Sequence, residues 1–148
     1  MTERFRLPSP AELRAAVARC GTQSTGDFAG QYQVTWVRRG ADDTPPLSHP
    51  EGRLLEELEI TQFPNFEIRS DRIVSGDSLV QEFCLTRVLD RDASSLRSEG
   101  LWRVADGDPL DAVLVSLSLR RERDETTFLV STASAPEEAM LRLGLVRR

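Results

Sequence analysis

Apolar residues follow a helical period at the start of the chain and alternate with polar residues from residue 31 onward. The segment 9–12, Ser-Pro-Ala-Glu, has the pattern of a capping box in which Ser9 caps the helix and Glu12 reaches back to it. The apolar residues of the next turns share one face, and Gly21 supplies the left-handed residue that commonly follows a helix. The pattern therefore predicts a short helix over about residues 9–20.

Alternation of apolar and polar residues, with turn residues between the runs, predicts strands for most of the remaining chain. The strand candidates are 31–37, 53–61, 65–70, 72–75, 79–89, 98–105, 110–120, 126–132 and 140–146. Two of these have competing interpretations. The leucines of 53–61 also fit one face of a short helix, and a helix start at 135–138 would make the last strand begin late.

One helix followed by eight or nine strands with tight turns favours a mainly β fold. Neighbouring strands joined by short turns form an up-and-down meander, and closing it removes the exposed edges. We therefore expect an antiparallel up-and-down β-barrel of eight to ten strands with a short N-terminal helix. We expect residues 1–148 to form a single domain, with the barrel spanning about 30–148 and the helix covering one of its ends.

Composition narrows the range of functions. The net charge of −5 argues against a nucleic-acid partner, since phosphate binding needs a basic face. All 19 basic residues are arginine, which excludes lysine-dependent chemistry. No apolar run is long enough to span a bilayer, so we expect no membrane partner.

The cysteines and the histidine indicate neither a metal site nor a cofactor. Cys20 and Cys84 are far apart in sequence and His49 is the only histidine, so no metal-ligand spacing is present. We expect no metal and no cofactor. Without a secretion signal near the start, we also expect a cytoplasmic protein in which both cysteines are free thiols.

The segment Asp27-Phe28-Ala29-Gly30-Gln31-Tyr32 opens the first predicted strand directly after the helical region. It resembles the entry of calycins, the group of lipocalins and fatty-acid-binding proteins, with Tyr32 standing where those proteins usually have a Trp. In calycins an Arg of the last strand packs over that aromatic ring. The resemblance implies this role for Arg142 or Arg147, and it implies a barrel that holds a small hydrophobic molecule.

A second segment, Ser98-Glu99-Gly100-Leu101-Trp102-Arg103, resembles a strand of the haem-binding nitrobindins, which are also calycin-like barrels. Those proteins hold haem through a histidine near the C-terminus. This chain has no histidine after His49, so the resemblance does not extend to haem.

Seven residues are candidates for a functional site in the barrel interior. If their strand faces point inward, Glu56 and Gln81 are the candidate catalytic residues, because a carboxyl or amide group in apolar surroundings can protonate or polarise a ligand. The candidate ligand-binding residues are Tyr32, Trp36, Phe83, Arg87 and Trp102. The alternatives are that the aromatic residues fill the core and that a one-residue slip exposes Glu56 to solvent.

These observations lead to two hypotheses on ligand use and to a third in which the barrel is a structural or interaction module whose interior is filled by side chains. In the first, the barrel encloses a hydrophobic small molecule and acts as a biosynthetic cyclase or isomerase by shaping its substrate. In the second, it is a non-catalytic intracellular carrier of a hydrophobic ligand. An oligomer is compatible with both.

Overall fold

The computed structural model describes residues 9–39, 66–75, 81–104, 112–132 and 139–148. They form one α-helix, α1 (Pro10–Arg19), a 3-10 turn (Gly26–Phe28) and eight strands. The strands are β1 (Gly30–Arg39), β2 (Phe66–Ile68), β3 (Arg72–Ser75), β4 (Gln81–Arg91), β5 (Ser95–Val104), β6 (Val113–Glu122), β7 (Glu125–Thr132) and β8 (Ala139–Arg147). The strand candidate 53–61 and the alternative helix start at 135–138 lie outside the described residues.

The eight strands form a closed antiparallel barrel in which each strand pairs with its neighbours in sequence. β8 then pairs with β1, which closes the sheet into a barrel. The predicted mainly β fold, an antiparallel barrel with one helix near the N-terminus, is confirmed. The barrel has two ends. The Ser75 end is where β3 ends and β4 begins. The Tyr32 end is where the β2–β3, β4–β5 and β6–β7 hairpins turn.

Helix α1 begins with the predicted capping box. The Ser9 hydroxyl accepts a hydrogen bond from the Glu12 amide at 3.1 Å, and the Glu12 carboxylate accepts one from the Ser9 amide at 3.4 Å. The helix ends before Gly21, whose φ of +84° is the left-handed value expected after a helix.

The helix lies against the outer wall of the barrel. Leu13 and Ala16 are buried against Cys84 of β4, Leu101 of β5 and Ala112, which immediately precedes β6. The expectation that the helix covers one end was therefore wrong. The reason is that β4 and β5 carry apolar residues on their outer as well as their inner faces at this point, and the apolar stripe of α1 covers the outer ones.

Cys20 and Cys84 are joined in a disulfide that ties the end of α1 to β4, with their α-carbons 5.5 Å apart. The expectation of two free thiols was wrong. Sequence spacing gave no sign of the pairing because 64 residues separate the two cysteines, and only the packing of α1 on the outer wall brings them together.

The interior of the barrel is mainly apolar. Alternate residues of each strand point inward, and the largest of these side chains are at most 2% exposed. The inner residues belong to a single cluster that includes Tyr32, Phe66, Phe83, Trp102, Val115, Phe128 and Leu143. Gly100 also lies on this inner face, where the side chain of Leu117 covers it closely.

Two bulges reverse the faces of residues that strict alternation places inside. The register of β1 against β8 shifts between Val34 and Trp36, so that Val34 contacts the interior while Trp36 packs on the outer wall over Gly144. The register of β4 against β5 shifts between Leu85 and Arg87, and Arg87 is exposed. A bulge inserts one residue and so inverts every later side chain of its strand.

The 3-10 turn closes the Tyr32 end. Phe28 enters the interior cluster and is 5% exposed. The preceding segment is fixed by Thr25, whose amide donates to the Ser70 carbonyl and whose hydroxyl donates to the Arg69 carbonyl. The β2–β3 hairpin thus holds the chain entering β1 across the mouth of the barrel.

Candidate ligand-binding site

The interior at the Ser75 end carries two polar side chains in otherwise apolar surroundings. Ser75 and Gln81 are direct partners across β3 and β4, and each residue is 1% exposed. The Ser75 hydroxyl has no hydrogen-bond partner in the described structure. A buried hydroxyl without a partner is costly and uncommon.

The amide of Gln81 is held in a defined orientation by Trp102. The indole Nε1–H of Trp102 donates to Gln81 Oε1 at 2.8 Å, in a fully buried hydrogen bond. An indole nitrogen is only a donor, so the atom that accepts from it must be the amide oxygen. The amide nitrogen of Gln81, which is a donor, therefore points away from the indole. Gln81 on β4 and Ser75 on β3 both face the interior.

Aromatic rings connect this polar pair to the middle of the barrel. Trp102 stacks on Phe83 with ring centroids 5.1 Å apart, and Phe83 meets the edge of Phe128 at 5.2 Å. Phe128 in turn meets Phe66 at 5.9 Å. Such stacked and edge-to-face pairs are favourable geometries, and together they fill the middle of the interior.

Of the seven predicted site residues, three come together at this end: Gln81, Phe83 and Trp102. Tyr32 is also inside the barrel, but at the opposite end, where its hydroxyl donates to the Phe28 carbonyl at 2.6 Å. The predicted interior site is thus divided between the two ends, and the aromatic layer separates its parts.

Trp36 and Arg87 do not line the interior, because the two bulges turn them outward. Trp36 is half-buried and its indole nitrogen donates to Glu125 at 3.1 Å. Arg87 pairs with Glu99 at 2.7 Å on the exposed surface. Glu56 lies outside the described residues, so its predicted role stays a prediction.

The aromatic residue that opens the first strand has the partner that the sequence resemblance implied. The guanidinium of Arg147, on β8, lies over the Tyr32 ring at 5.5 Å from its centroid. It also donates to the Tyr32 hydroxyl at 3.0 Å and to the Asp27 carbonyl at 2.6 Å. Of the two candidates, Arg147 takes this position, whereas Arg142 is exposed on the outer side of β8.

The outer wall beside Gln81 has its own charged group, and it is fully paired. Glu82 is 6% exposed and accepts from Arg103 at 2.6 Å and from Arg72 at 3.0 Å. Arg72 also donates to Asp71, and this guanidinium lowers the pKa of the Asp71 carboxyl. On the outer wall, the buried Glu82 carboxylate is thus bonded by two arginines of the protein. In the interior, the buried Ser75 hydroxyl has no such partner among the described residues.

Sequence reasoning missed Ser75 and Phe128 as members of the interior. Both were visible in principle, since Ser75 alternates with Ile73 and Phe128 alternates with Val130. A serine at the end of a four-residue strand looked like a turn residue, and only the pairing of Ser75 with Gln81 places it inside.

No family model, curated protein or solved structure matches this chain. In the part of the chain that the structure describes, no group of three or more His, Cys, Asp or Glu side chains is arranged to hold a metal ion. The helices within those same residues are too short or too polar to cross a membrane.

Proposed function

We propose that the barrel binds a small, mainly apolar molecule through its Ser75 end, with one polar group of that molecule hydrogen-bonded to Ser75 and Gln81. The buried Ser75 hydroxyl that lacks a partner carries this proposal. Leaving such a group unsatisfied costs about 1–3 kcal/mol, and a ligand oxygen or N–H would remove that cost.

The other interior hydroxyls support the assignment by contrast. Ser98 lies on the inner face of β5 and is as deeply buried as Ser75, but its hydroxyl contacts the Arg87 and Glu99 carbonyls at 3.0 and 2.7 Å. The Tyr32 hydroxyl is likewise bonded to the Phe28 carbonyl. The Ser98 and Tyr32 hydroxyls are thus satisfied by backbone carbonyls, whereas the Ser75 hydroxyl beside Gln81 has no partner in the described part of the chain.

The aromatic rings define the apolar part of the site. Phe83 and Trp102 fill the interior next to Gln81, so the ligand would lie above them, toward the Ser75 end, rather than in the middle of the barrel. A barrel of eight strands is of the size that holds one small ligand. The calycin-like pattern at Tyr32 and Arg147 favours the same use, since the calycins that the sequence resembles hold hydrophobic molecules in this way.

The oriented amide of Gln81 favours an enzyme that shapes its substrate. An amide N–H held in an apolar site can polarise a carbonyl oxygen, and a confining wall holds a flexible molecule in a reactive conformation. Cyclisation or isomerisation of an apolar carbonyl compound fits these two contributions. A carrier would use the same contacts to hold its ligand without changing it.

The test compares two interior serines that are equally buried, of which only Ser98 has hydrogen-bond partners among the described residues. Binding is measured by displacement of the neutral dye Nile red with 2-undecanone, an apolar ketone, in the wild type, Ser75→Ala and Ser98→Ala. We expect Ser75→Ala to weaken ketone binding about two- to tenfold, as for one hydrogen bond, and to raise the unfolding midpoint of the empty protein. Ser98→Ala should lower the midpoint and leave the affinity for the ketone unchanged.

Equal ketone affinity in the wild type and Ser75→Ala, or no binding by either, would contradict the proposed site. Native mass spectrometry of protein purified from its own host then separates the two modes of use. A ligand recovered unchanged, together with no turnover of related precursors, would identify a carrier and reject the enzyme.

A further inference from the structure

The rim of the Tyr32 end carries three arginines around a depression of about 550 Å³. Arg121 stands at the end of β6, Arg147 at the end of β8, and Arg123 in the turn between β6 and β7. The other side chains that line it are Tyr32, Asp124, Thr126 and Val146. This depression is on the opposite side of the aromatic layer from Ser75.

No carboxylate of the described residues neutralises the positive charges of these arginines. None of the three has a carboxylate oxygen within 4.0 Å among residues 9–39, 66–75, 81–104, 112–132 and 139–148. The acids that flank the turn are bound elsewhere, Glu122 to Arg120 at 3.1 Å and Glu125 to Trp36 at 3.1 Å. Asp124 lines the depression without forming an ion pair with any of these arginines.

Two of the guanidinium groups are fixed side by side. Nη2 of Arg121 and Nη2 of Arg147 both donate to the Asp27 carbonyl, at 3.1 and 2.6 Å. Each group also lies over a ring, Arg121 over Phe28 at 4.8 Å and Arg147 over Tyr32 at 5.5 Å. These hydrogen bonds use only Nη2. The other N–H donors of each guanidinium group therefore contact no acceptor among the described residues.

Arg123 occupies a backbone conformation that arginine seldom adopts. Its φ is +57°, and it is the one residue other than glycine with a positive φ among the described residues. Two-residue hairpin turns usually place Asn, Asp or Gly at such a position. A third guanidinium therefore stands at the rim in spite of an unfavourable backbone.

We propose that this depression binds the phosphate group of a small phosphorylated molecule. Three arginines against one aspartate leave two positive charges, which match a phosphate dianion, and guanidinium groups bind phosphate oxygens through paired N–H donors. The volume exceeds that of a phosphate ion alone, so the organic part of the molecule fits beside Thr126 and Val146. This anion site is separate from the apolar site at the Ser75 end.

Arg123→Asn tests the proposal without touching the interior. Asparagine tolerates the left-handed backbone, so this variant should fold with an unchanged or raised melting temperature. Binding of phenyl phosphate is followed by calorimetry at constant ionic strength, with phenol and benzoate as neutral and singly charged probes. We expect the wild type to prefer phenyl phosphate to both, and Arg123→Asn to weaken its binding at least fivefold.

Arg97→Asn provides the matched control, because Arg97 is an exposed arginine on the outer face of β5. It changes the net charge by the same amount, and we expect it to leave phenyl phosphate binding unchanged. An equal loss in both variants would mean that only overall charge matters, and the proposal would fail. It would also fail if the wild type bound benzoate as tightly as phenyl phosphate, or bound neither.

Discussion

The indole ring of Trp36 lies against the backbone of Gly144, so closely that a β-carbon at residue 144 would overlap the ring. This contact couples the bulge in β1 to the strand that closes the barrel, since Trp36 reaches Gly144 only because the bulge turns it outward. The indole nitrogen then donates to Glu125 on β7, so that one side chain spans three strands.

Gly144→Ala should therefore destabilise the protein by about 1–3 kcal/mol, the usual cost of overpacking. The added methyl group would displace the indole and break its bond to Glu125. Urea unfolding measures the change. In a Trp36→Ala background the same substitution should cost much less, and purely additive effects would show that the two residues do not interact.

The buried bond between Trp102 and Gln81 gives a second prediction. Gln81→Leu leaves the indole N–H without its acceptor and should lower the free energy of unfolding by about 1–3 kcal/mol. Trp102→Phe removes the donor. The double variant should therefore lose less free energy of unfolding than the sum of the losses in the two single variants. Urea unfolding of the four proteins gives the coupling energy, and a value near zero would contradict the bond.

Opening the Cys20–Cys84 disulfide should destabilise the protein by about 2–4 kcal/mol, because the bond closes a long loop of the unfolded chain. We expect a reducing agent to lower the melting temperature of the wild type and to have no effect on Cys20→Ala. The far-ultraviolet signal of the barrel should persist in both. Because a reducing cytosol disfavours such bonds, alkylation of thiols in intact cells also tests the predicted cytoplasmic location.

Asp92, in the turn between β4 and β5, makes stability depend on acid. Its carboxylate accepts from the Ser94 and Ser95 amides at 2.8 and 2.9 Å, and the Ser94 amide is the main cause that lowers the pKa of this carboxyl from its ordinary 3.8. The stabilising effect is therefore complete above pH 3.8 and is lost as the pH falls through the lower folded-state pKa. Protonation removes charge from an acceptor that the folded turn uses.

Asp92→Asn keeps an oxygen acceptor but cannot titrate. We expect it to fold at neutral pH and to lose less stability than the wild type when urea unfolding is repeated below pH 3.8. Parallel stability curves for the two proteins over that range would show that Asp92 contributes nothing to the acid sensitivity. Asp90→Asn, at an exposed position two residues earlier, controls for the loss of one carboxylate.

The sequence predicted those elements that depend on interactions between residues close together in the chain. The capping box, the glycine after the helix and the alternation in β5 to β8 all depend on neighbours a few residues apart, and these elements lie where the sequence put them. The resemblance to calycins offered Arg142 or Arg147 as the partner of Tyr32, and only the structure decides for Arg147.

Features that depend on distant contacts were not predictable in this way. Alternation carries no sign of a bulge, so Trp36 and Arg87 were assigned to an inner face that the register shifts turn outward. The disulfide and the placement of α1 depend on an outer apolar patch that only the closed sheet assembles. The inward position of Ser75 depends on its pairing with Gln81 of the next strand.

The pairing of β8 with β1 has a consequence for how this chain is made on the ribosome. Until Ala139–Arg147 has been synthesised, β1 and β7 both present open edges, and the aromatic interior has no complete wall. Closure joins segments from opposite ends of the described chain, which is the kind of contact that forms slowly. The nascent protein therefore passes through a stage with exposed strand edges and apolar surface, which is the condition in which chains are prone to aggregate.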